Sequence, residues 1–482
     1  MVANNYLVER VAAQIAPLLP AHSSILVGLS GGVDSVVLLH LLHKLAARYS
    51  WQLSALHVHH GVSRNADAWA LFCAELCERH HIPLRIEHVD IAPLRSHGIE
   101  AAARKLRLAA LYRQPCDFVA LAHHADDQAE TLLLQMLRGA GVRGVSAMPV
   151  LSLKEPPAIR PSCQETPVKS LVMPKQPQMS GHSDSIALVR PLLHCSREEI
   201  LAYAAAHQLD WIEDESNADD SYPRNFLRHR VLPLLGERFP AYRDTLMRSA
   251  QHFAEASKLL DELARQDGAE MIAGETMAIQ ALCPLEPARA KNLLRYFLHS
   301  LGAPMPQLVQ LDDMLQQLCA ARQDAAVCVN YSGWQVRRYQ ERVYALRAPG
   351  DFNRSLVLPW HGETELDWPA LHTRVHFHQL NGAGISLEKL QCAPVTLRLR
   401  SGGETLRPRP NAATRTLKNL LQEHHIPPWQ RDRLPLLCCG EELVCVPGVA
   451  VAAEYLANGH EAAIAVELRG RGQANPDRIT TL

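Results

Sequence analysis

The sequence predicts an α/β protein: a doubly wound parallel sheet in its N-terminal half, a mainly helical middle domain and a small α+β C-terminal domain. Aliphatic runs at 24–29, 53–58, 84–89 and 117–122 alternate with amphipathic stretches of helical length, the pattern of a parallel sheet covered on both faces. From Arg230 to about Leu346 the apolar spacing is mainly helical, and from about Ser355 it turns to short alternating strands.

The first strand and the loop after it set the chemistry. Ser24-Ile-Leu-Val-Gly-Leu29 runs into Ser30-Gly31-Gly32-Val33-Asp34-Ser35, and a helix continues with apolar positions at Val36, Val37, Leu39, Leu41, Leu42 and Leu45. A strand, a Ser/Gly turn and a helix N-terminus make an anion site. Backbone N–H groups can close around phosphate oxygens there, and Ser30 and Ser35 add hydroxyl donors. Three named motifs compete. A Walker loop needs a lysine after its glycines, and none is present. A dinucleotide fingerprint needs G-x-G-x-x-G, which Gly28-Leu-Ser-Gly-Gly32 does not satisfy. The same residues do satisfy G-x-S-x-G, the hydrolase nucleophile elbow, but that elbow normally comes after several strands and this one ends the first.

The next strand ends in His59-His60-Gly61, a helix spans 66–81, and 84–89 is the third strand. The helix from Ile99 to Gln114 carries Arg104, Lys105 and Arg107, and the fourth strand runs into His123-His-Ala-Asp-Asp-Gln-Ala-Glu-Thr131. Ligands of open parallel sheets lie at the carboxyl ends of the strands, so 28–35, 59–61 and 123–127 should meet at one site. Asp126-Asp127 could simply cap a helix. Beside a triphosphate loop, two carboxylates can also share Mg²⁺ or receive an amine, and Glu130 lies one turn further on.

Composition places few constraints beyond these. A net charge of −1, with 47% hydrophobic and 21% charged residues, describes an ordinary soluble protein, so any nucleic-acid surface must be local. Residues 1–24 read as an amphipathic helix, neither signal peptide nor membrane span. Twelve cysteines without a C-x-x-C argue against zinc ribbons and disulfides and for a reducing, cytoplasmic location. The stretch 151–186, with six prolines and no period, reads as a flexible insertion. Ser196-Arg-Glu-Glu199 is a capping box for the helix to His207. Within 398–433, eight basic residues stand against three acidic ones, alongside Trp429 and His424-His425. A charge run is ordinarily a solvated face, but this mixture suits phosphate contact and base stacking. The expected domains are 1–228, 229–350 and 351–482.

The loop Ser30–Ser35 resembles the pyrophosphate loop of the N-type ATP pyrophosphatases, whose HUP-like domain splits Mg-ATP between its α and β phosphates. Further blocks resemble the tRNA(Ile)-lysidine synthase family: His57-Val-His-His-Gly61, Ala102-Ala-Arg-Lys-Leu-Arg107, His123 to Thr131, and Glu213-Asp-Glu-Ser-Asn217 followed by Arg224-Asn225. Leu406-Arg-Pro-Arg-Pro410 and Lys418-Asn-Leu-Leu421 resemble that family's terminal domain. The resemblance spans most of the chain outside 151–186. It departs at Leu108, where the family often has an aromatic residue.

The resemblance implies ATP-dependent ligation of lysine to C2 of the wobble cytidine of tRNA(Ile) with anticodon CAU. The cytidine is first adenylated, and AMP and pyrophosphate are released. This changes the codon read from AUG to AUA and the amino acid from methionine to isoleucine. It further implies that Ser30, Gly31, Gly32, Val33, Ser35 and His59 bind ATP. Asp34 and Asp127 would hold Mg²⁺, and Asp127 with Glu130 would receive the substrate lysine's ammonium group. Arg104 would join the catalytic set, and Arg107, Arg224, Arg398, Arg400, Arg407, Arg415 and Lys418 would contact tRNA. L-lysine and tRNA(Ile) are the implied partners, with no membrane, and a homodimer is among the open oligomeric states.

Rivals remain from the residues alone. A tRNA thiolase needs a reactive cysteine near ATP, and none stands just after a strand end; Cys116 precedes the fourth strand. A non-catalytic RNA-binding ATP protein would not need Asp126, Asp127 and Glu130 beside phosphates.

Overall fold

The structure, a computed structural model, describes residues 2–61, 63–92, 99–146, 148–154, 186–215, 219–322, 325–348, 350, 353–368, 371 and 373–470. Most of the expected insertion, 155–185, and Ser216-Asn217 of the acidic block lie outside the described residues. The chain forms two compact units, Met1–Leu263 and Ala264–Leu482.

The first unit begins with α1 (Val2–Ile15), β1 (Ser24–Gly28), α2 (Val33–Tyr49), β2 (Gln52–His59), α3 (Ala66–Arg79) and β3 (Leu84–His88). It continues with α4 (Ile99–Tyr112), β4 (Phe118–Ala120), α5 (Ala125–Leu137), α6 (Val142–Val145), β5 (Leu151–Lys154), β6 (Ile186–Val189) and α7 (Arg197–Ala206). The sheet order is β3-β2-β1-β4-β6-β5, parallel except that β5 runs antiparallel to β6. Successive side chains of a strand face opposite ways. Accordingly Ile25 and Val27 of β1 join the core made with α1, α2, α3 and α7, while Leu26 joins the core made with Leu111 of α4, Leu56 and Val119. This double coverage is why the strands read as unbroken aliphatic runs.

From β1 the chain moves outward through β2 to β3, and it returns to β1's other side for β4. That reversal opens a crevice at the carboxyl ends of β1 and β4, the position where doubly wound sheets take ligands. The unit ends with α8 (Pro223–Phe226), one π turn at Leu227–Val231, α9 (Leu232–Arg238) and most of α10 (Tyr242–Asp267). Ala129 and Leu132 of α5 pack against Leu232, Tyr242 and Ala250 of this group, which sets its polar residues beside the start of α5.

In the second unit, β7 (Ile272–Ala273), β8 (Thr276–Ala278), α11 (Pro287–Ser300), α12 (Leu308–Ala320), β9 (Cys328–Tyr331), β10 (Trp334–Tyr339) and β11 (Arg342–Arg347) share one core centred on Phe297, Leu294 and Val336. The middle region carries the expected helices and also a five-stranded antiparallel sheet, β7-β8-β11-β10-β9, that a mainly helical reading omitted. Its signal was the two-residue turn at Ser332-Gly333, both at positive φ, between strands whose side chains are alternately buried. Cys283 and Cys319 form a disulfide, against the expectation of none, because α12 brings their Cα atoms to 5.5 Å.

The C-terminal part comprises β12 (Val357–Pro359), β13 (Glu365–Trp368), β14 (Thr373–Asn381), β15 (Ile385–Ser386), β16 (Val395–Arg398), β17 (Thr405–Leu406) and β18 (Arg415–Thr416), then α13 (Leu417–Glu423) and α14 (Pro428–Arg431). It closes with β19 (Leu436–Cys439), β20 (Glu442–Val446), β21 (Ala450–Val451) and β22 (Ala462–Gly470). Two antiparallel sheets, β12-β16-β19-β20-β21 and β13-β14-β22-β15, enclose Trp368, Leu397, Leu437 and Val444. No described helix is long and apolar enough to cross a membrane.

Candidate active site

The loop after β1 is held by its own serines. Ser35 Oγ accepts the N–H groups of Ser30 and Gly31, each at 3.2 Å, and donates to Gly32 O at 2.9 Å. Ser30 Oγ lies 3.1 Å from Ser35 Oγ, and Gly32 N donates to it at 3.4 Å. The hydroxyl that a hydrolase elbow would use is thus bonded within the loop, with no histidine among its hydrogen-bond partners in the described residues. Gly31 sits at φ +90°, a conformation other residues rarely adopt, and Ile212 N donates to its carbonyl at 2.9 Å. A Cβ there would stand 2.7 Å from Ile212 Cδ1, so the segment preceding Glu213 backs the loop. The Val33 side chain is buried in the core and only its main chain can meet a ligand.

Asp34, in the first turn of α2, places Oδ2 3.7 Å from His124 Nε2 and 3.7 Å from Arg197 Nη1. Its Oδ1 is buried and has no hydrogen-bond partner among the described residues. Burial raises the Asp34 pKa and the charge of Asp127 adds to the rise, while His124 and Arg197 oppose it.

Asp127, across the crevice in α5, caps its own helix by accepting the His124 N–H at 3.0 Å. Its other oxygen accepts from Arg224 Nη2 at 2.8 Å. Burial alone would raise the Asp127 pKa, but His124 and Arg224 outweigh it and keep the carboxylate ionised well below the usual range. The His124 ring is 1% exposed and stands between Asp34, Asp126 and Asp127. Sequence reasoning assigned it no role, although two adjacent histidines at a strand end were a usable signal.

The other two carboxylates of α5 are already engaged. Asp126 accepts the Arg197 N–H at 2.9 Å and Arg243 Nε at 2.6 Å. Glu130 is 0% exposed and accepts Arg224 Nε at 2.6 Å, Arg228 Nε at 2.6 Å and Arg228 Nη2 at 3.1 Å. An ammonium group could reach Glu130 only by displacing a guanidinium, an obstacle to its expected role as lysine acceptor. Arg224, expected on a tRNA-facing surface, is drawn into this cluster because a buried carboxylate needs a paired cation.

The remaining expected residues are more dispersed. His59 bonds Asp67 Oδ1 at 3.1 Å and packs on the His88 ring at 4.4 Å. His57 bonds Leu29 O at 3.0 Å, tying β2 to the loop. Burial, then the charge of Arg107, lowers the His60 pKa to about 4. His123 is likewise lowered, first by burial and then by Arg190, Arg104 and Arg224, against the pull of Asp127. Arg104 and Arg107 of α4 therefore stand near the loops after β4 and β2.

In the second unit Arg398 pairs with Glu441, Arg400 with Glu404, Arg407 with Glu454 and Arg415 with Glu423, while Lys418 is exposed. The Arg398, Arg407 and Arg415 pairs each include an exposed partner and are worth about 0–1 kcal/mol, whereas Arg400 and Glu404 are largely buried. Trp429, expected to stack on bases, packs edge-on to Tyr339 and Tyr344 with Arg337 over its ring.

The donor set fits Mg²⁺ in one respect. Asp34 offers an unpartnered buried oxygen, and Mg²⁺ characteristically takes one or two carboxylates together with substrate phosphates. No group of three or more His, Cys, Asp or Glu among the described residues is arranged to hold a metal without such help.

Three family models match the chain: the PP-loop domain over residues 5–235, the TilS substrate binding domain over 277–344 and the TilS substrate C-terminal domain over 395–468. The chain is 41% identical over 431 residues to the tRNA(Ile)-lysidine synthase of Nitrosomonas europaea, covering 89% of this chain and 88% of that one. It is 39% identical to the tRNA(Ile)-lysidine synthase of an Azoarcus species, covering 92% and 90% of the two chains. The corresponding protein of Coxiella burnetii is 35% identical, with 92% of each chain covered. With its PP-loop at a β1–β4 crevice and both substrate domains further along, the chain belongs to the tRNA(Ile)-lysidine synthase family.

Proposed function

We propose that this protein ligates L-lysine to C2 of the wobble cytidine in tRNA(Ile) bearing the anticodon CAU, converting ATP to AMP and pyrophosphate. One observation carries the reading: Asp34 and Asp127 face each other across buried His124, beside a Ser/Gly loop that has no lysine of its own. A carbonyl oxygen at C2 is a poor leaving group. Cytidine O2 attacks the α-phosphorus and pyrophosphate departs; the lysine ε-amine then attacks C2 and expels AMP, which carries the oxygen away. Positioning and charge stabilisation dominate such a phosphoryl step.

The main-chain N–H groups of Ser30, Gly31 and Gly32 bind the phosphates once Ser35 and Ser30 hydroxyls release them. Asp34 and Asp127 would hold Mg²⁺, which when bound neutralises charge on the departing pyrophosphate. His124, placed between these two carboxylates, limits their mutual repulsion. Asp127, with one oxygen turned to His124, orients the lysine ammonium; Glu130 acts through Arg224 and Arg228, fixing them beside Asp127. Arg104 and Arg107 would contact phosphates of the anticodon loop, a role supported by their nearness to His123 and His60 at the strand ends.

Residues 1–228 form the catalytic domain, and 229–350 and 351–482 bind tRNA in a cytoplasmic enzyme. Purified protein with ATP, Mg²⁺, radiolabelled lysine and bulk tRNA should yield base-stable label that digests to a modified cytidine. An aminoacyl ester, lost in base, or label on another nucleoside would refute the reading.

A further inference from the structure

Four carboxylates, Asp34, Asp126, Asp127 and Glu130, gather at the crevice with four guanidiniums, those of Arg197, Arg224, Arg228 and Arg243. Three of the guanidiniums are spent. Arg224 and Arg228 donate to Glu130, and Arg224 also to Asp127, while Arg243 donates to Asp126. Arg197 differs: its nearest carboxylate oxygen, Asp34 Oδ2, is 3.7 Å away, beyond hydrogen-bond range, and its side chain is 41% exposed.

Its main chain, by contrast, is fixed. Ser196 and Glu199 form a capping box at 3.1 and 2.7 Å, Glu199 is held by Arg10, and Asp126 Oδ2 accepts the Arg197 N–H at 2.9 Å. A long cationic arm therefore starts from a rigid base and ends, uncommitted, beside the phosphate loop. The loop supplies only neutral N–H and O–H donors, since it has no lysine in the Walker position. Cleavage between the α and β phosphates leaves one new negative charge on the former bridging oxygen of the pyrophosphate, which a guanidinium beside the loop can stabilise in addition to a metal ion.

We infer that Arg197 is a further catalytic residue, whose guanidinium leaves Asp34 to grip the pyrophosphate half of ATP, and that Asp126 is the positioning residue that sets its base. This deepens the proposed function and rests on the nucleotide site named there. It also separates the two adjacent aspartates: Asp127 faces the reaction, and Asp126 holds α7 in place.

The test is titration calorimetry of the full chain with magnesium pyrophosphate and, separately, AMP. Loss of one charge-assisted phosphate contact predicts that Arg197→Ala binds pyrophosphate roughly 10- to 100-fold more weakly, with AMP affinity unchanged. Arg197→Lys should recover part of the loss. Asp126→Asn should weaken pyrophosphate less than Arg197→Ala, and the double variant should be no worse than Arg197→Ala alone, because the two act through one guanidinium. Pyrophosphate affinity unchanged in Arg197→Ala, equal weakening toward pyrophosphate and AMP, additive losses in the double variant, or no measurable wild-type pyrophosphate binding would each overturn the assignment. A protein showing the expected split in binding but making no lysine-bearing cytidine would refute the proposed reaction and leave Arg197 as a pyrophosphate ligand.

Discussion

Replacing Glu130 by Gln probes the most heavily coordinated group in the crevice. The carboxylate is fully buried, and three guanidinium N–H groups at 2.6, 2.6 and 3.1 Å converge on it. Glutamine keeps the shape and one acceptor oxygen, but its amide nitrogen then faces a guanidinium donor. Asp127, 2.8 Å from Arg224 and 3.5 Å from Arg228, is left as their remaining counter-charge here. Removing one partner of a buried pair costs about 3–5 kcal/mol, and the retained oxygen argues for about 3. For a unit of this size 1 kcal/mol moves Tm by roughly 2–4 °C, so the transition of the first unit should fall by about 6–12 °C. Differential scanning calorimetry of the full chain reads this directly, with the second unit's transition as an internal reference. Adenylation and lysine transfer should both decline, because the same arginines orient Asp127. A transition displaced by less than about 1 °C, with both half-reactions intact, would refute the view that Glu130 is the counter-ion that builds the site.

Asp34→Asn should abolish tRNA-dependent pyrophosphate release while leaving Tm equal or higher, since burial already disfavours this carboxylate; a marked fall in Tm would contradict the latter. Gly31→Ala forces a Cβ to 2.7 Å from Ile212 Cδ1 at φ +90° and should weaken ATP binding at least tenfold by equilibrium dialysis, with Ile212→Ala restoring only the steric part. His40 and His60 are held neutral to about pH 4, each first by burial, so their folded pKa values lie below the unfolded 6.5. Unfolding then takes up protons, and Tm should hold above pH 6.5 and fall steadily as pH drops toward 4; His60→Gln should flatten that slope. Arg407→Ala should weaken tRNA binding and reduce the slope of log affinity against log salt by about 1, while costing under about 1 kcal/mol of stability as a half-exposed pair is lost.

The fold of the first unit was legible because its signals are local. Each strand of the parallel sheet is a short aliphatic run, and the 3.6-residue spacing after Ser35 marks α2 without reference to anything distant. The position of the site came from topology, since loops after β1 and β4 must adjoin where the strand order reverses. What the sequence concealed is contact across long separations. Arg224 and Arg228 reach Glu130 over more than 90 residues, and only packing of α5 on α9 and α10 creates that pairing. Ile212 buttressing Gly31 and Arg197 approaching Asp34 are of the same kind. The strands from Cys328 to Arg347 were obscured for another reason: Arg337, Arg338 and Arg342 are interspersed among their apolar residues, and such charge mimics the polar face of a helix.

The decisive measurement tracks the α-phosphate. Protein, Mg²⁺, tRNA and ATP labelled at the α-phosphorus are mixed without lysine, the tRNA is recovered, and lysine is then added. Adenylation first predicts label on the tRNA, at the wobble cytidine, that is released as AMP in equal amount to the lysine incorporated. Label that stays on the tRNA after lysine is added, or lysine incorporated with no α-labelled tRNA at any time, would contradict adenylation at the β1–β4 crevice as the first step.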